Sequence, residues 1–143
     1  MAEFENLSFG DQFATGMNCI FENADGPIAF GHRVAINHNV FIGSDFGSIV
    51  IDDDVVIGPG VIMRAANHTF DLDDDRPIRD QGHVGGEIRV DSGAWIAAHV
   101  TLLVGAHVGA GAVVGAGSVV VGAIPAHSLA VGAPARIIRQ RGG

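Results

Sequence analysis

Cysteine is nearly absent: Cys19 stands alone among 143 residues. No intrachain disulfide can form, and no thiolate metal cluster can be assembled within one chain. Basic residues are also scarce, 8 Lys and Arg against 16 Asp and Glu, for a formal charge of -8. That balance argues against nucleic acid or an anionic membrane surface as the main partner. No apolar run reaches transmembrane length, and Met1-Ala2-Glu3-Phe4-Glu5 lacks the basic start and apolar core of a secretory signal, so a cytoplasmic location is expected. A chain of this length makes one domain and is poorly suited to a cleft between two domains; where a cleft is needed, a second copy is expected to supply part of it.

Glycine is plentiful, with 21 residues, and its spacing is regular. From Val84 to Ile124 an aliphatic residue returns every six positions, at Val84, Val90, Ile96, Leu102, Val108, Val114 and Val120. Four residues after each of the first six stand Ile88, Ala94, Val100, Ala106, Ala112 and Ser118, mostly small. A helix of 3.6 residues per turn carries positions six apart to opposite sides, so it cannot bury this pattern. Strand side chains alternate, so positions i and i+4 share a face, and a bend every sixth residue keeps that face inward as the chain winds. The fold expected is all-β, a single-domain parallel β-helix of hexapeptide repeats. The same phase starts at Phe30, Ile36 and Ile42, with Val34, Val40 and Phe46 as partners, slips near Gly47-Ser48 in what should be a corner bulge, and resumes at Ile51, Ile57 and Met63 with Val55, Val61 and Asn67.

Three segments depart from the period. Residues 1–19 are an entry segment whose Phe4, Leu7, Phe9 and Phe13 would cap the open end of the coil. The coil itself is expected over 20–125, interrupted by a protruding polar loop at 69–83, with a tail over 126–143. Insertions in solenoids map to protruding loops, which often form the binding face. Outward positions in the regular hexads are Trp95, Thr101, His107, Val113 and Val119. With about eighteen residues per coil, Trp95 and Val113 should stack on one side, and such an exposed apolar stripe favours packing against another subunit.

Several short motifs, together spanning roughly 30 to 139, are more specific than the hexads: Ile57-Gly58-Pro59-Gly60-Val61, Ala66-Asn67-His68 before the loop, Ala94-Trp95-Ile96, Gly115-Ala116-Gly117-Ser118-Val119-Val120, Ile124-Pro125 and Val131-Gly132-Ala133-Pro134-Ala135-Arg136. In these the chain resembles the hexapeptide-repeat acyltransferases, and within them the galactoside, maltose and capsule or O-antigen sugar O-acetyltransferases. The resemblance implies a left-handed coil and a homotrimer with active sites between neighbouring subunits. It also implies acetyl-CoA as acyl donor along the groove, a sugar or sugar-like acceptor, and no metal. His68 occupies the position of the general base that takes the proton of an acceptor hydroxyl, a task suited to imidazole. Trp95 corresponds to the tryptophan beside the coenzyme arm, Ala98 and Ala116 to backbone positions along the pantetheine, and Arg136 and Arg139 to the basic pair near the coenzyme phosphates. Val121 and Gly122 stand at coenzyme-site positions where relatives often carry Thr-Lys, so a hydroxyl and a cation are missing there, and Ala97 replaces a usual glycine.

The acceptor is left open between a hydroxyl and an amine. The loop carboxylates Asp71, Asp73, Asp74, Asp75 and Asp80 suit sugar hydroxyls or a cationic amine, and Asn37, Asn39 and Asp45 are further polar candidates from an adjacent subunit. Two readings from other classes stand beside this one. A γ-class carbonic anhydrase-like zinc enzyme shares the coil and needs three converging histidines, to be drawn from His32, His38, His68, His83, His99, His107 and His127. That family pairs two ligands five residues apart, a spacing no two of these histidines show. The other is a non-catalytic β-helix scaffold. An acyl-enzyme at Cys19 is not expected, because no His motif lies beside it.

Overall fold

A computed structural model describes residues 5–142. Apart from one 3-10 turn, Ile78–Asp80, every regular element among them is a short strand. Each turn of the coil lays one strand on each of three parallel sheets. The first sheet takes Leu7–Ser8, Ile28–Phe30, Ser48–Ile51, Glu87–Val90, His107–Val108 and Ala123–Ile124. The second takes Ala14–Thr15, Ala35–Ile36, Val56–Ile57, Trp95–Ile96, Val113–Val114 and Ser128–Val131, and the third Ile20–Glu22, Phe41–Gly43, Ile62–Arg64, Thr101–Leu102 and Val119–Val120.

Residues six apart point inward on successive sheets, and residues one coil apart stack. Ile36, Ile57, Ile96 and Val114 are direct neighbours across the second sheet, and none is more than 4% exposed. Burying each such side chain stabilises the fold by roughly 1.5–3 kcal/mol, so the core is a set of aliphatic ladders. Three inward corner positions carry serine instead of an aliphatic residue. Ser44, Ser118 and Ser128 are fully buried, and each hydroxyl donates to a backbone carbonyl, of Gly26 at 2.7 Å, Gly115 at 2.6 Å and Pro125 at 2.6 Å. A hydroxyl satisfied in this way loses little of the free energy that an unpaired one would cost.

Corners turn on a four-residue bend whose third residue is left-handed. At Leu103-Val104-Gly105-Ala106 the Ala106 N–H donates to the Leu103 carbonyl at 3.0 Å and Gly105 has φ 84°. That is a type II arrangement, which glycine adopts without steric cost.

The structure differs from the periodicity in three inward assignments. Phe46 does not enter the core. It takes the third position of the bend Ser44-Asp45-Phe46-Gly47 with φ 65°, and is 51% exposed, because Ser44 fills the inward site. Asn67 and Val84 are exposed as well, Val84 at 55%, because both lie on an antiparallel arm that leaves the coil, while Ala65 and Ala66 take the buried places. The residues around Gly47-Ser48 form this same corner bend.

Parallel strand pairing begins at Leu7 and continues to Ala130. At the first end Phe9 and Phe13 pack on Phe30, with ring centroids 5.6 and 4.8 Å away, and Leu7 packs against the core; Phe4 lies outside the described residues. At the other end Arg136–Gln140 folds back antiparallel on Ser128–Val131 and covers the last edge of the second sheet. Trp95 and Val113 are cross-strand neighbours, as the eighteen-residue coil predicts. Their outward row is longer than the sequence suggests: Ala14, Ala35, Val56, Trp95, Val113 and Leu129 stand in register along the whole second sheet.

Candidate active site

The polar insertion is the tip of a β-arm. Ala66–His68 pairs antiparallel with His83–Gly85, placing His68 directly opposite His83, and the Thr69 N–H donates to the Gly82 carbonyl at 2.9 Å. Beyond that point the loop is held by its own polar groups. Gln81 accepts from the Asp71 N–H at 2.7 Å and donates to the Arg76 carbonyl at 2.9 Å, Asp71 accepts from the Asp73 N–H at 2.9 Å, and Asp74 takes the Arg76 guanidinium at 2.6 Å. The hydrogen bonds from Arg76, side chain first and backbone second, hold the Asp74 carboxyl below the usual carboxylate range. A lowered carboxyl contributes stability above its unfolded value, and the contribution is lost only as pH falls through the lowered one. Asp71 and Asp74 are therefore engaged in shaping the loop, whereas Phe70 and Leu72 are exposed at 67% and 94%.

His68 is exposed, and no described residue hydrogen-bonds its ring nitrogens. Its ring contact is with His83, at a centroid distance of 4.5 Å and a tilt of 38°. His83 in turn lies flat on Phe46, at 4.4 Å and 6°. The arm approaches this bend closely: a Cβ built on Gly85 would lie 1.5 Å from the Phe46 carbonyl oxygen, so glycine is required there.

The other expected site residues are spread around the coil. Trp95 lies on the second sheet, half-exposed between Val56 and Val113. Ala98 and Ala116 occupy the corner between the second and third sheets on successive coils, and the Gly117 N–H donates to the Ala98 carbonyl at 2.9 Å. Val121 and Gly122 are exposed at the corner between the third and first sheets, the corner from which the His68 arm also leaves. Arg136 and Arg139 are exposed on the fold-back strand. Asn37 is exposed at the second-to-third corner, its side-chain oxygen accepting from the His38 N–H at 2.8 Å. Asp45 lines an open recess of about 490 Å³ with Glu5, Asn6, Phe21, Glu22, Asn23 and Ala24, and Arg64 bridges to Glu22 at 3.3 Å. One chain thus brings His68, Val121, Gly122 and Asp45 to one corner, and leaves Trp95, Ala98 and Ala116 beyond the width of the third sheet.

Among the described residues no three His, Cys, Asp or Glu side chains are grouped as metal ligands. Several histidines have structural partners: Nδ1 of His32 accepts from the Asp11 N–H at 2.8 Å, Nδ1 of His38 from the Met17 N–H at 2.7 Å, and Nε2 of His107 lies 2.7 Å from Asp91. No described helix is long and apolar enough to cross a membrane. The sequence places Phe46 inward and His83 only among histidines for a metal, and gives Gly85 no role; none of the three is set beside His68 by any local signal. The one available hint is Phe46, an apolar ring at a bend position that the other corners fill with glycine or polar residues.

No family model matches the chain. A putative lipopolysaccharide biosynthesis O-acetyl transferase of Escherichia coli, WbbJ, is 31% identical over 142 residues, covering 94% of this chain and 72% of that protein. A probable acetyltransferase of Mycobacterium tuberculosis is 32% identical over 139 residues, 97% of this chain but 46% of the relative. The chain spans about half the length of the first of the curated relatives it matches. Among solved structures, a hexapeptide-repeat acetyltransferase of Vibrio cholerae complexed with acetyl-CoA superposes with a TM-score of 0.80 at 28% identity, covering 99% of this chain and 75% of that one. The shared fold is the left-handed parallel β-helix.

Proposed function

The chain belongs to the hexapeptide-repeat acetyltransferases, and from that premise we propose that it transfers an acetyl group from acetyl-CoA to a hydroxyl of a sugar or sugar-like acceptor. The observation that carries this reading is the imidazole of His68, presented to solvent on an arm where the coil interrupts itself. A ring nitrogen of His68 takes the acceptor proton as its oxygen attacks the thioester carbonyl. The tetrahedral oxyanion then collapses, the carbon–sulfur bond breaks, and the proton passes to the departing thiolate. Such a base contributes about 10²- to 10⁴-fold, and holding both reactants side by side adds to it. Trp95 packs on the coenzyme arm, Ala98 and Ala116 leave room for the pantetheine along their corner, and Arg136 and Arg139 meet the phosphates. Val121 and Gly122 offer the nucleotide end backbone groups alone.

These groups lie on two different corners, so the site is completed by assembly into a homotrimer, with a groove between a His68 arm of one copy and a second-to-third corner of the next. The apolar row on the second sheet supports that assembly, since Val56 and Trp95 are 48% and 50% exposed beside one another. Val56→Glu places a carboxylate in the centre of the row and is expected to convert trimer to monomer in sedimentation velocity. A variant that keeps the trimer mass would remove this row from the interface.

The acceptor is assigned to the recess lined by Asp45, where Glu22, Asn23 and Asp45 offer hydrogen-bonding groups to hydroxyls and Phe21 an apolar face. Asn37 and Asp71 then approach from a neighbouring copy and from the loop. The recess carboxylates also favour a second reading, N-transfer to an amino sugar, whose ammonium they would attract. Thiol release from acetyl-CoA, measured with neutral hexosides, maltose and glucosamine, tests both readings. Hydroxylamine cleaves an ester product and leaves an amide intact. No thiol release above hydrolysis with any sugar would overturn both.

A further inference from the structure

A general base must be oriented as well as present, and in acyl transfer a third group commonly holds it by a hydrogen bond. His68 has no such bond to a described residue, so its ring must be fixed in another way. The contact it does have is a column of rings: His68 on His83 at 4.5 Å, and His83 on Phe46 at 4.4 Å with the planes within 6°. We propose that Phe46 and His83 are positioning residues for the acetyl-transfer base, Phe46 serving as a floor on which His83 lies and His83 holding the His68 ring toward the groove. This inference rests on the reading of His68 as base given above.

Three features show a built column. His68 and His83 are directly opposed across the antiparallel arm, the register at which cross-strand side chains meet most closely. The base of the arm is seated on the Phe46 bend, with Gly85 against the Phe46 carbonyl and Gly47 against the Gly86 carbonyl, where a Cβ on Gly47 would come within 2.2 Å. Phe46 has φ 65° at the third position of its bend, a left-handed position that other corners fill with Gln12, Asn18, Arg33, Asn39, Asp54, His99 and His127 as well as with glycine. The left-handed backbone thus belongs to the coil, and what is particular to this corner is an apolar ring where the other non-glycine residues are all polar. Glycine takes that conformation with less steric cost than phenylalanine. The ring that the left-handed backbone carries is directed under His83 and is half-exposed, so its contribution to the core does not account for it.

The consequence is unusual for a positioning residue: removing it relieves the backbone. Phe46→Gly deletes the floor and suits the bend, so its melting temperature is expected to equal or exceed that of the parent while kcat falls by about ten- to a hundredfold, the scale of a misplacement of about 1 Å in the base. His83→Ala is expected to lower kcat similarly, and His83→Phe, which keeps a flat ring between Phe46 and His68, to recover most of it. KM for acetyl-CoA should change little in all three.

The experiment measures melting temperature, kcat and KM with acetyl-CoA and whichever of the tested sugars gives the highest rate, or with water as acceptor if none does. It also records the carbon-bound proton signals of the His68 ring by NMR, assigned by their loss in His68→Ala. Loss of the His83 ring removes its ring current from His68, and loss of the Phe46 floor lets His83 move, so His83→Ala and Phe46→Gly should both shift those signals and His83→Phe should return them toward their original place. Unmoved His68 signals in His83→Ala and Phe46→Gly would overturn the column, whatever the rates. A Phe46→Gly protein that loses activity only in proportion to lost stability would overturn it too. Should His68→Ala keep full kcat, the base assignment fails instead, and the NMR arm still decides whether His83 and Phe46 hold the ring.

Discussion

His68→Ala is expected to lower kcat for acetyl transfer by about 10²- to 10⁴-fold, the usual contribution of a positioned general base, with KM for acetyl-CoA and the melting temperature nearly unchanged. The separation follows from where the residue sits. His68 is exposed on the arm and accepts no hydrogen bond from the coil, so the core loses nothing when its ring is removed. The coenzyme contacts proposed for Trp95, Ala98 and Ala116 lie on the second sheet and its corner, across the third sheet from the arm, so donor binding should survive. A rate well above that of the uncatalysed reaction should remain, because holding the two reactants together does not depend on the base. Steady-state kinetics with acetyl-CoA and the best sugar, beside a thermal melt, check the expectation. A variant within about threefold of the parent kcat would remove His68 from the chemistry, since even a modest general base contributes about 10²-fold.

How far the sequence discloses this arrangement depends on the kind of constraint each residue answers. Val90, Ile96, Leu102, Val108, Val114 and Val120 are legible because a repeating environment selects a repeating side chain, and each of them is fully or almost fully buried. The first coil is poorly legible for the opposite reason. Ala14 and Thr15 are exposed and Ile20 is 55% exposed, so strand pairing there places little demand on side-chain type, although its backbone pairs as regularly as the rest. Val84 misleads because it falls on the six-residue phase by position while its backbone belongs to the arm. Phe46 misleads because hydrophobic residues are presumed inward, and nothing local in the sequence states that Ser44, with its hydroxyl satisfied by the Gly26 carbonyl, takes the buried place instead.

The site divides along the same line. The Asn67-His68 step before the loop is visible as a motif, and so is Trp95. The column under His68 is not, because Phe46, His68 and His83 are brought together by a coil return and a hairpin register, both long-range relations. The loop acids were legible as charge but not as roles. Asp74 pairs with Arg76 and Asp71 accepts from the Asp73 N–H, while Asp73, Asp75 and Asp80 stay exposed and Phe70 and Leu72 stand exposed among them, an apolar component that the loop's composition does not suggest.

Ile57→Ala is expected to destabilise the chain by about 2–5 kcal/mol, the range for truncating a buried isoleucine when the cavity cannot collapse. Ile57 is 1% exposed and stands in the middle of a ladder, between Ile36 on one coil and Ile96 on the next. The strands on either side are pinned by backbone hydrogen bonds, Asn37 N–H to the Ile57 carbonyl at 2.9 Å and Gly58 N–H to the Ile96 carbonyl at 2.7 Å, so neighbouring coils cannot close over the void. A repeat fold is stabilised chiefly by contacts between nearest coils, so weakening both contacts of one central coil weakens the coupling between the two ends. The loss should therefore appear as a lower urea midpoint together with a broader transition, measured at one fixed protein concentration because the proposed assembly would itself add to stability. Val114→Ala removes less volume from the same ladder and should cost less, with a transition as sharp as the parent's. Equal, small shifts in both would mean that the coils close over lost volume, and the ladder would then not be the rigid frame that holds the His68 arm and the Ala98–Ala116 corner at a fixed separation.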